Sequence, residues 1–150
     1  MTGYQLRKKA MKYAITHEIN PSSADVQILG GGIMENAKLK KRMNQIDFFA
    51  FFIRDETGKI VGGCNGGNMY GSLFVDQLWI TDALRGKGFG KQLMQKAEHL
   101  AREQKCNFMA VNTMDWEALD FYKKLGFNVE FERHGFDKDS VFYFLRKDLK

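Results

Sequence analysis

The sequence predicts one α/β domain, with a mixed, mostly antiparallel central sheet of about seven strands and helices on both faces. Three observations carry that expectation. The middle third holds strand-like runs at 47–54, 59–64 and 72–80, separated by short turns. A strand–helix–strand run then spans 72–113, which requires a crossover between parallel strands. After a short helix the chain closes on two more strand-like runs, 128–132 and 140–146.

The elements follow in order. Residues 13–19 alternate loosely, and a first strand is expected there. Asn20-Pro21-Ser22-Ser23 breaks it, and Ser22 or Ser23 can cap a helix over 24–40. Gly30-Gly31-Gly32 should bend or split that helix, since each glycine costs about 1 kcal/mol relative to alanine. The run DFFAFFIR at 47–54 is β by composition, Asp55 to Gly58 is a turn, and 59–64 returns as a hairpin. Asn65-Gly66-Gly67-Asn68 reads as a bulge or irregular turn. Over 88–104, Phe89, Leu93, Ala97 and Leu100 fall on one stripe with Met94 and Ala101 beside it, an amphipathic helix. A second short helix covers 117–125 and ends at Gly126. His134-Gly135 separates the last two strands.

Bulk properties narrow the function. The chain of 150 residues is 44% hydrophobic with thirteen Phe, enough for one cored domain. No stretch approaches the ~20 apolar residues of a membrane span, and the start of the chain is polar and basic, so a soluble, cytoplasmic protein is expected. Cys64 and Cys106 stand far apart, and His17, His99 and His134 do not cluster, so no metal site is expected. The charge of +5 is mild. Its cations are spread and the aromatics sit in strand interiors, which argues against a nucleic-acid partner.

One segment breaks the local rules. The helix entry Arg85-Gly86-Lys87-Gly88-Phe89-Gly90-Lys91 has no Ser, Thr, Asp or Asn to cap it and no acid in its first turn. It carries Arg85, Lys87 and Lys91 instead, the wrong sign for the positive end of a helix. An anion bound there removes the conflict, because it accepts the free N–H groups and neutralises the cations. The spacing is neither a Walker A loop nor a dinucleotide fingerprint.

Arg85-x-x-Gly88-x-Gly90 resembles the pyrophosphate-loop motif of the GNAT superfamily of acetyltransferases. Asp76-Gln77-Leu78-Trp79-Ile80 is similar to that superfamily's fourth strand. Ala118-Leu119-Asp120-Phe121-Tyr122-Lys123-Lys124-Leu125-Gly126-Phe127 resembles its second signature. The resemblance implies a GNAT-like fold and N-acetyl transfer from acetyl-CoA to a primary amine by direct attack in a ternary complex. The acceptor would be a small-molecule or protein amine.

It also implies roles. Backbone amides of Leu78 and Ile80 would hold the pantetheine and thioester carbonyl, with Trp79 as a wall. Amides of Arg85, Gly86, Lys87, Gly88, Phe89, Gly90 and Lys91 would take the pyrophosphate. Tyr122 would protonate the departing thiolate, against the alternative of a packed core aromatic. Asp76 is the candidate base, since Gln77 stands where many relatives carry Glu; a surface carboxylate is the competing reading. Phe48, Phe49, Phe51, Phe52, Met69 and Tyr70 are candidates for the acceptor site, with alternation sending some to the core. The superfamily often pairs, which implies a homodimer. A non-catalytic CoA-binding module on the same fold is the alternative function.

Overall fold

The computed structural model describes residues 12–150. Among them the sheet has six strands in the order β1-β2-β3-β4-β6-β5. β1 (Asp47–Arg54), β2 (Ile60–Met69) and β3 (Ser72–Ile80) form the antiparallel meander. β4 (Phe108–Met114) lies parallel to β3. β6 (Phe142–Asp148) pairs antiparallel with β4 on one side and with β5 (Asn128–Arg133) on the other. Helix α1 (Ser23–Lys41) precedes the sheet, α2 (Phe89–Glu103) joins β3 to β4, and α3 (Leu119–Lys124) follows β4.

The mixed, mostly antiparallel sheet is the one expected, but it lacks the anticipated first strand. Residues 13–18 have no regular structure, and Tyr13 and Ile15 are exposed. Alternation says only which side chains would share a face and does not by itself make a strand. Helix α1 also differs from expectation, running unbroken through its three glycines. Its ends explain this: Ser22 Oγ accepts from the Asp25 N–H at 3.2 Å, and Arg42 closes the last turn in the left-handed conformation.

β2 is longer than expected. It continues through Asn65 to Asn68, and the predicted bulge appears as a register shift between Asn65 and Gly66. Gly66 pairs with Val75 and Asn65 with Gln77, so Asp76 is the extra residue on β3. A Cβ on Gly66 would run into the backbone carbonyl of Phe74, so only glycine fits. Tyr70 and Gly71, both at positive φ, close the tight turn from β2 to β3.

Helix α2 lies over the sheet. Leu93, Met94, Ala97 and Ala101 are buried, in one core with Leu73, Val75, Met109, Val111 and Leu145. β1 alternates as its pattern requires: Phe49, Phe51 and Ile53 pack against that core, while Phe48 and Phe52 are exposed. Lys147 Nζ reaches Glu98 Oε2 at 2.7 Å and ties β6 to α2.

Candidate active site

The site begins where β3 and β4 part. Their parallel pairing runs from Ser72↔Phe108 to Val75↔Val111 and stops, although both strands continue. Past that point β4 stays paired with β6 through Met114, while β3 follows β2 through Ile80. The Asp76 bulge lies at the parting. Thr81 donates its N–H to Val61 O on β2 at 2.9 Å. Amides alternate along an antiparallel strand, so those of Ile80 and Leu78 point away from β2, into the gap.

A cleft of about 530 Å³ occupies this gap, lined by Leu78, Trp79, Ile80, Arg85, Gly90, Trp116, Glu117, Ala118 and Phe121. The start of α2 borders it. Gly88 is its cap residue, with no side-chain hydrogen bond there and no acid in the first turn, as the sequence implied. Gly86 (φ 73°) and Gly88 (φ 83°) take left-handed conformations, and a Cβ on either would meet nothing. Their glycines therefore serve backbone shape, not clearance. Gly90 serves close approach: a Cβ there would stand 3.3 Å from Phe121 and 3.5 Å from Ile80. Lys87 and Lys91 are exposed, and Phe89 is half-buried.

Arg85 is exposed but held by the protein. Its Nε donates to Ile80 O at 3.2 Å and its guanidinium pairs with Asp82 at 3.2 Å. It thus ties the loop to the end of β3.

Tyr122 is 5% exposed, edge-on to Phe121 and Phe127 at centroid distances of 5.2 and 5.8 Å. The Ala118 N–H donates to Thr113 Oγ1 at 3.1 Å, anchoring the start of α3 to the end of β4. Burial, with the nearby Cys64 and Glu117, pushes the Tyr122 hydroxyl up to about 12. Tyr122 therefore stays protonated across the physiological range. It is not among the lining residues of the cleft, which include its neighbours Ala118 and Phe121. Asp76 is exposed at the bulge and lines neither this cleft nor the trough described next. Burial also raises the Cys64 thiol to about 11, so Cys64 is a core group.

A second cavity, a trough of about 640 Å³, opens on the sheet face carrying Phe48 and Phe52. Trp79 lines both cavities. The sequence reading missed Glu117, Ala118 and Phe121 as cleft residues. Their signal was adjacency to the Tyr122 motif, but only the approach of α3 to Gly90 makes them a wall.

The family model described as acetyltransferase (GNAT) family matches residues 6–127. The chain belongs to this family. Within the GNAT family it is 34% identical over 85 residues to blasticidin-S acetyltransferase of Streptomyces morookaense, a stretch covering 56% of this chain. It spans only 62% of the length of that curated relative. Its fold matches a solved Agrobacterium tumefaciens protein assigned as an acetyltransferase, with TM-score 0.80 and 21% identity over 93% of this chain and 100% of the other. It also matches a Bacillus anthracis protein assigned as a streptothricin acetyltransferase, solved with acetyl coenzyme A, with TM-score 0.61 and 19% identity over 69% and 64% of the two chains. Among the described residues no helix is long and apolar enough to cross a membrane.

Proposed function

We propose that this protein transfers an acetyl group from acetyl-CoA to a primary amine by direct attack in a ternary complex. One observation carries the reading: the β3–β4 gap, with the Leu78 and Ile80 amides turned into it, opens beside the uncapped, glycine-bounded start of α2. A strand amide fixed at the gap suits a thioester oxygen, where negative charge develops. The free N–H groups of a helix start suit a pyrophosphate, and Lys87 and Lys91 add charge of the right sign. Relatives named as acetyltransferases, one solved with acetyl coenzyme A, support the choice of donor.

Acetyl-CoA supplies the activated acyl group. The amine nitrogen bonds to the acyl carbon and the carbon–sulfur bond breaks. The Tyr122 hydroxyl gives the departing thiolate its proton and regains one from water, and the proton lost by the amine passes through water to Asp76. A second reading, a CoA-binding module without turnover, draws on the burial of Tyr122, which is not a lining residue of the cleft.

The test pairs two measurements. A thermal shift with CoA and with dephospho-CoA reads donor binding, and ligand at 100 times its Kd adds about 2.7 kcal/mol. Free-thiol release with acetyl-CoA and a panel of amines reads turnover. Absence of any shift sinks the donor assignment; a shift without thiol release for any amine leaves the binding module.

A further inference from the structure

The trough beside the cleft has a defined chemistry. Phe48, Phe52 and Trp79 turn their rings into it, and Ile60 adds a fourth apolar group. Gly62, Gly63 and Gly66 of β2 also line it, and a Cβ on each would meet the neighbouring strands at the carbonyls of Trp79, Phe51 and Phe74. Two neutral amides supply its polar side chains, Asn65 and Gln77. Asn65 Oδ1 already accepts the Gln77 N–H at 3.1 Å, which leaves the Asn65 Nδ2 and the Gln77 carboxamide to meet a polar edge.

Charge selects further. Among the described residues no carboxylate lines the trough. The Arg54 guanidinium lies 5.4 Å from the centroid of the Phe52 ring. A polycation would find no counter-charge among the lining residues and one cation beside Phe52. Its volume is ample for a ring system, and Trp79 borders both the trough and the cleft.

We infer that the trough is the acceptor subsite, and that it takes an amine carried on a flat, uncharged aromatic or heteroaromatic body rather than a polyamine or aminosugar. This rests on the acetyl-transfer reading above. The body lies against Phe48 and Phe52, its polar edge meets Asn65 and Gln77, and its amine passes Trp79 into the β3–β4 gap. Gln77 then binds the acceptor instead of acting on its proton. The sheet alternation that buries Phe49 and Phe51 is what frees Phe48 and Phe52 for this surface.

The test uses the full chain with saturating acetyl-CoA and tryptamine, spermidine or kanamycin, scored by thiol release, with the CoA thermal shift as a separate reading of the donor site. Tryptamine should be used with a kcat/KM at least about tenfold above the other two. Phe48→Ser and Phe52→Ser, both at exposed positions, should each raise the KM for tryptamine by about tenfold while leaving the KM for acetyl-CoA and the CoA shift unchanged. Preference for spermidine or kanamycin overturns the inference and leaves acetyl transfer standing. An unchanged tryptamine KM in both variants also overturns it. If the wild type self-associates in sedimentation and both variants do not, with tryptamine KM unaltered, the trough belongs to a second copy and the inference fails. No thiol release with any amine overturns it together with the acetyl-transfer reading, and the CoA shift then tells whether the donor site stands.

Discussion

Lys147 Nζ donates to Glu98 Oε2 at 2.7 Å, and Arg102 holds the other carboxylate oxygen at 2.9 Å. The pair fastens the last strand to α2, whose first turn borders the cleft. Burial opposes ionisation of Glu98, but the hydrogen bonds and charges of Lys147 and Arg102 outweigh it and hold the carboxyl below its usual value of 4.5. A depressed folded-state pKa stabilises the fold above the unfolded value and loses that contribution as pH falls through the folded one. Stability should therefore fall as pH drops below about 4.5. Glu98→Gln should cost about 1–2 kcal/mol at pH 7 and flatten that acid limb, as read by denaturant unfolding across pH.

Tyr122 is the group whose chemistry and packing are hardest to separate. Its hydroxyl, raised to about 12, stays protonated through any ordinary assay. Tyr122→Phe should therefore lower thiol release by about tenfold or more at every pH from 6 to 9 and leave the CoA shift in place. A variant as fast as wild type across that range removes the acid role and leaves a packed ring.

The glycines of the loop and of α1 should respond in opposite directions. Gly88 sits at φ 83°, so Gly88→Ala strains the helix entry by about 1 kcal/mol and should weaken CoA binding by about tenfold. Gly31 lies inside α1 with nothing near a Cβ, so Gly31→Ala should stabilise by up to about 1 kcal/mol without touching CoA binding. Thermal unfolding with and without CoA reads both. A destabilised Gly31→Ala would show that α1 is packed against something at that face.

Gly66 is different again. A side chain there collides with the Phe74 carbonyl, which cannot move without breaking the β2–β3 ladder. Gly66→Ala should cost several kcal/mol, at the scale of core overpacking. The bulge that offsets Asp76 would shift with it, so any folded fraction should lose thiol release more than it loses the CoA shift.

Much of this was legible in the chain because it is local. The Ser22 cap, the stripe on α2, the hairpin at 47–64 and the missing cap before Phe89 each depend on residues a few positions apart. The alternating DFFAFFIR run said that half its aromatics would be buried, but not which half. The sheet decided that by laying α2 on the Phe49 and Phe51 side.

By itself, then, the sequence determined that the helix entry at Arg85–Gly90 is uncapped, glycine-rich and basic, since the unmet N–H groups and misplaced cations are written within seven residues. Only the tertiary structure decided what stands around that entry. Parting of β3 from β4 after Val75 and Val111, approach of Phe121 to Gly90, burial of Tyr122 and exposure of Phe48, Phe52 and Trp79 all join residues distant in the chain. Residues 13–18 show the converse: their loose alternation names side chains that would share a face and does not by itself make a strand.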